Sequence, residues 1–145
     1  MRRICYLLII SISAWLSSCN IITSDNGDLD GLWQLTTMEN LNTGTVADGR
    51  NDDVTWAFQH HLLAMRSGDV EVFFRFSHAD HALAISNPYH SGRFLEGNDD
   101  TPVTDVTSLY VFGVYKLEEL FEIVQLDDDN MQLKSESMRL FFRKY

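Results

Sequence analysis

From residue 29 onward, apolar and polar positions alternate along much of the chain. Val70, Val72, Phe74 and Phe76 fall on one face, and Glu71, Phe73 and Arg75 on the other. Val54, Trp56 and Phe58, followed by Leu62, alternate with Thr55, Ala57 and Gln59, and Leu83 and Ile85 continue the pattern. A two-residue period rich in β-branched and aromatic side chains predicts strands that bury one face. Turn-forming clusters separate them: NTG at 42–44, DGRNDD at 48–53, SGD at 67–69, NP at 87–88, EGNDD at 96–100 and DDDN at 127–130. Leu120–Leu126, Met131–Ser135 and Met138–Tyr145 read as three consecutive strands. DDDN reverses the first pair through a hairpin loop built on a type I turn, and SES at 135–137 reverses the second. Asp105–Tyr110 is the exception and fits one or two helical turns with Asp105 as N-cap. An up-and-down meander of this kind closes on itself, because closure removes exposed strand edges.

The first residues have a different pattern. Met1-Arg2-Arg3 precedes an apolar run from Ile4 to Trp15. A membrane-spanning helix needs about 20 such residues, so the run fits the apolar region of a secretory signal instead. A buried N-terminal element would show polar spacing on one face, and none occurs before Ser11. The run ends in Leu16-Ser17-Ser18-Cys19, which resembles the lipobox of bacterial lipoproteins. That resemblance implies cleavage before Cys19 and lipidation of its sulfur and new amino terminus. One acyl chain binds a bilayer weakly at about 0.8 kcal/mol per buried methylene, whereas several make a stable anchor. The expected organisation is a signal peptide over 1–18, a lipidated cysteine and tether over 19–28, and a barrel domain over 29–145. The tether is polar and aperiodic, NIITSDNGD, and would reach about 30 Å fully extended. The expected location is the bacterial cell envelope, as an outer-membrane lipoprotein on the periplasmic or surface face.

This reading changes the meaning of the composition. Of the two cysteines, Cys5 leaves with the signal and Cys19 carries lipid. The mature chain then has neither thiol nor disulfide and folds on packing alone, which excludes thiol catalysis and cysteine-based zinc sites. The signal takes away Arg2 and Arg3 and no acid, so the remainder carries a net charge of about −12. Such a surface repels nucleic acid and anionic head groups, leaving the lipid on Cys19 as the contact with the membrane.

The first strand, DLDGLWQLTTME, carries Gly31-Leu32-Trp33. A Gly-x-Trp at this point resembles lipocalins and their relatives. Together with LYVFGV at 109–114 and the closing FEIVQLDDDNMQLKSESMRLFFRKY, it makes the chain similar to the small lipocalin-like lipoproteins of Bacteroidetes. The resemblance implies an all-β, antiparallel, up-and-down lipocalin-like barrel of about eight strands, with a short helical turn near 105–110. It also implies that Gly31 and Trp33 form the closed base and that an arginine near the end of the last strand lies across the indole. Arg139 and Arg143 share one parity and are equal candidates. The chain lacks the disulfide, the long C-terminal helix and the central Thr-Asp-Tyr-like motif of larger lipocalins, which speaks against a capacious cavity.

Candidate chemistry is sparse. If Ala79-Asp80 is a two-residue turn, His78 and His81 stand opposed with Cβ atoms about 5 Å apart and could share a metal with Asp80 or His90. An exposed hairpin tip is the preferred reading, because no third ligand has a fixed spacing. His60-His61 reads as strand, where neighbours point to opposite faces. The calcium-loop-like start at Asn26 has Thr37 where a bidentate Glu is required. There is no Gly-x-Ser-x-Gly elbow and no glycine-rich phosphate loop. No enzyme activity and no cofactor are expected. Trp33, Trp56, Phe58, Phe74 and Phe76 are expected to point inward as core. The functional reading makes Trp56, Phe58, Phe74 and Phe76 the lining of a pocket for a small hydrophobic or amphipathic ligand, with Trp56, His60 or Tyr89 near its mouth. The rival is a protein-interaction or inhibitor module acting through its loops, motivated by the apolar SLYVFGVY at 108–115. Ligand identity and any protein partner stay open.

Overall fold

The alternation becomes a barrel. The computed structural model describes residues 25–92 and 99–145, so the signal, Cys19 and most of the tether lie outside the described residues. Ten strands form among them. They are β1 (Gly31–Asn40), β2 (Val46–Asp48), β3 (Thr55–Gln59), β4 (Leu62–Ser67), β5 (Val70–Ala79), β6 (Ala82–His90), β7 (Thr101–Pro102), β8 (Glu119–Leu126), β9 (Asn130–Lys134) and β10 (Met138–Lys144). Neighbours run β1-β3-β4-β5-β6-β8-β9-β10, and β10 returns to β1, closing an eight-stranded antiparallel barrel. The seam runs from Trp33 opposite Lys144 to Asn40 opposite Met138. β2 and β3 share one edge of β1, and the turn at 49–53 bulges out between them. β7 adds a short pairing to β6.

The expected meander at the end of the chain is present as β8, β9 and β10. Its first turn is held by Asp127, whose Oδ1 accepts from the backbone N–H of Asp129 (3.0 Å) and Asn130 (2.8 Å). The Gln125 amide donates to Oδ2 at 2.7 Å. These bonds, the Gln125 side chain first, lower the Asp127 carboxyl to about 2. The helical segment is a 3-10 helix, Val106–Phe112, with Asp105 as N-cap accepting from Thr107 N at 2.9 Å.

Three local expectations need correction. Asn87-Pro88 does not end a strand; both lie inside β6, with Asn87 at φ +53°. His60-His61 is not strand but the two-residue turn joining β3 to β4, with His60 at φ +54°. The turn after β5 is Asp80-His81 rather than Ala79-Asp80, because Ala79 pairs with Ala82 and His78 with Leu83.

The interior is apolar and continuous. Val72, Phe74, Leu83, Phe121, Leu133 and Leu140 are each fully buried. One end is closed by the 3-10 turn Gly27–Leu29, which buries Leu29 beside Trp33. The other end is covered by the 3-10 helix, whose Leu109 and Phe112 join the core together with Val103 and Val114. No helix among the described residues is long and apolar enough to cross a membrane.

Candidate functional site

The centre of the barrel is an aromatic cluster built by parity. β3 turns Trp56 and Phe58 inward, β5 brings Phe74 and Phe76, β8 Phe121 and β10 Phe142, all buried. Trp56 lies 5.0 Å from Phe142, 5.8 Å from Phe121 and 6.2 Å from Phe58, centroid to centroid. Phe58 meets Phe76 edge-on at 5.1 Å. Such tilted and edge-to-face pairs add about 0.5–1.5 kcal/mol each beyond the area they bury. Within this apolar cluster the Trp56 indole N–H is buried and has no hydrogen-bond partner among the described residues.

Trp33 is the plug of the closed end. It is fully buried, and its Nε1 donates to Leu29 O at 2.9 Å. The cation on its ring is neither Arg139 nor Arg143 but Lys144, whose Nζ stands 4.9 Å from the ring centroid and donates to Asp28 O at 2.8 Å. Parity is the reason. Met138, Leu140 and Phe142 face inward, so Lys144 shares their side while Arg139 and Arg143 share the outer one. Arg139 instead pairs with Glu39 at 3.1 Å, and Arg143 lies opposite Gln34 with its residue exposed. Gly31, at φ +118°, leaves room for the lysine stem: a Cβ there would sit 3.0 Å from Lys144 Cε.

The other candidates scatter. Tyr89 is turned outward, stacked on Phe73 at 5.5 Å. Uninterrupted alternation would place it on the face of Leu83 and Ile85, but the register shift near Asn87 adds a residue to β6 and flips it. His60 is exposed at the closed end, away from any interior mouth. His78 and His81 are not opposed, and among the described residues no cluster of metal-ligating side chains occurs.

Two functional features escaped sequence reasoning. Asn26, inside the expected tether, already belongs to the barrel base, donating from Nδ2 to His60 O at 2.7 Å. Glu119 is buried with 5% exposure and latches the exit of the cap, its Oε2 accepting from Tyr115 N (2.8 Å) and Lys116 N (3.3 Å). A glutamate sharing the inward parity of Phe121 and Ile123 was the available signal.

The buried side chains of the barrel form one continuous apolar core. Four grooves of about 500, 500, 440 and 340 Å³ all lie on the outside of the barrel. The segment 108–115 buries Leu109, Phe112 and Val114 and exposes chiefly Tyr110, which stacks on Tyr115 at 4.5 Å. Its burial removes the main support for an interaction module.

A closed antiparallel barrel with a Gly-x-Trp base and a capped mouth is the geometry that the comparisons bear on. A family model described as a lipocalin-like domain matches residues 14–145. The chain belongs to the lipocalin-like domain family. A lipocalin-like protein from Bacteroides uniformis superposes with a TM-score of 0.60 at 21% identity, covering 82% of this chain and 100% of its own. An uncharacterized protein from Bacteroides eggerthii gives 0.59 at 20% identity, covering 81% and 99%. No curated protein matches. The lipocalin-like barrel points to ligand binding in general, in a fold that typically binds rather than catalyses.

Proposed function

We propose that this lipocalin-like protein is a lipid-anchored binding protein of the bacterial cell envelope, placed at the outer membrane, that takes one small apolar or amphipathic ligand in its barrel and catalyses nothing. The observation that carries the reading is the buried, unpartnered indole N–H of Trp56. A buried donor without an acceptor costs about 1–3 kcal/mol, and a ligand oxygen at this position would remove that cost. Leu109 and Phe112 of the cap are packed into the core, so in this reading loading requires the cap to move and the ligand to take the place of such side chains. The bond from Asn26 to the His60 carbonyl holds the start of the described chain at the closed end, which supports a reading in which the capped mouth is turned away from the bilayer.

The ligand half of the reading is tested by native mass spectrometry of the protein purified from its own host. A co-purified apolar or amphipathic molecule is expected. In Trp56→Phe its occupancy should fall about three- to tenfold, the size of one neutral hydrogen bond. An empty monomer from the host, or equal occupancy in the variant, would sink the interior site. The anchor half is tested separately. Cys19→Ser should move the protein from the membrane to the soluble fraction while its melting temperature stays unchanged; a variant that still fractionates with membranes would refute lipidation at Cys19.

A further inference from the structure

The outer surface of the barrel carries a second candidate site that the interior reading does not use. Cross-strand register lays two outward rows side by side on β3, β4 and β5. Ala57, Ala64 and Phe73 form one row, and Gln59, Leu62 and Arg75 the other. The two alanines leave a trough between longer neighbours, and with the His60-His61 turn they line a groove of about 340 Å³. That is the low end of the range of about 300–1,000 Å³ typical of small-molecule sites. One wall is stiff, because Phe73 is stacked on Tyr89 with an interplanar angle of 23°.

The charge at this groove runs against the rest of the molecule. The chain has 21 acidic and 11 basic residues, yet no acid lines the groove. Arg75 stands at its edge, exposed, with no ion-pair partner among the described residues, whereas Arg50, Arg66 and Arg139 are each paired with a carboxylate. The groove at Arg143 also lacks an acid, but its walls include the polar Thr36, Thr37, Gln125 and Gln132.

We infer that this groove binds a small amphipathic monocarboxylate, its apolar body over Ala57, Ala64 and Leu62 against Phe73, and its carboxylate on the Arg75 guanidinium. The pairing uses the planar, two-donor fork that arginine offers a carboxylate. The site is independent of the barrel interior.

The test compares decanoate with decanol, which has the same chain length and no charge. Binding to the mature protein is followed by calorimetry and by the NMR shifts of the Ala57 and Ala64 methyl groups. Decanoate should bind about tenfold or more tightly than decanol, the scale of one charge-assisted hydrogen bond. Arg75→Gln should abolish that preference without lowering the melting temperature. Ala64→Trp, an outward substitution that fills the trough, should remove the shifts that both probes cause at the Ala57 methyl group, a readout that binding inside the barrel does not move. Equal shifts at Ala57 and Ala64 from the two probes, or shifts at Ala57 that survive Ala64→Trp, would overturn the assignment. So would a wild-type dimer abolished by Ala64→Trp, which would give the groove to a second copy of the chain.

Discussion

Trp33→Ala is expected to lower stability by about 3–5 kcal/mol, the range for truncating a large buried aromatic. Three losses add in this substitution. The fully buried ring leaves a void at the barrel base beside Leu29. The hydrogen bond from Nε1 to Leu29 O disappears and leaves that carbonyl without the indole donor. The Lys144 ammonium loses the ring face beneath it, worth about 0.5–2 kcal/mol. Against a total stability of about 5–15 kcal/mol for a domain, this is a large share. The urea midpoint should drop steeply. Lys144→Met, which keeps much of the stem and removes the charge, should reproduce only the smallest part of the loss. A midpoint that does not move in Trp33→Ala would show that the indole is not the plug of the closed end.

Gly113→Ala is expected to cost about 2–4 kcal/mol, because two separate penalties meet at one atom. Gly113 ends the 3-10 helix of the cap at φ +81°, a conformation that side chains disfavour. Its missing Cβ also makes room for the core: a methyl there would stand 2.5 Å from Leu140 Cδ2 and 3.1 Å from Cδ1. Leu140 is fully buried, so relief must come from displacing the cap. The variant should therefore lose stability and, at the same time, show faster hydrogen exchange at Val114 N, which donates to Leu109 O, than at the β9–β10 pairing. If exchange rises equally in both places, the cap is part of one cooperative unit with the barrel. In that case it could not open alone to admit a ligand, and the interior reading would lose its route of entry.

The latch on Glu119 explains why the cap rests where it does. Its carboxylate gathers two backbone donors at the turn following the 3-10 helix, and the exposed Lys116–Glu136 pair adds little, as surface ion pairs do. The same end of the fold thus combines a tight apolar contact, Gly113 on Leu140, with a single polar clamp.

Much of this architecture was legible in the sequence because it is local. Alternation identifies the inward faces of β3 and β5 from Trp56, Phe58, Val72, Phe74 and Phe76, since the side-chain period of a strand depends only on its own backbone. The Asp127 turn and the Asp105 cap are legible for the same reason, their bonds spanning two or three residues. Gly-x-Trp stands at the start of β1, and its Trp33 is fully buried. What failed depended on register between distant segments. The cation on Trp33 is Lys144, a choice made by the seam between β1 and β10, whose partners are about a hundred residues apart. Tyr89 went outward because one extra residue near Asn87 reversed the parity of β6, and parity beyond such a bulge is visible only in the paired strand. His78 and His81 separated because the turn sits one residue later than expected. Sequence alone therefore determined the long strands of the barrel and their apolar faces wherever no bulge intervenes. Barrel closure decided which charges meet which rings, how the mouth is capped and where the outer rows form a groove, because those outcomes depend on cross-strand register.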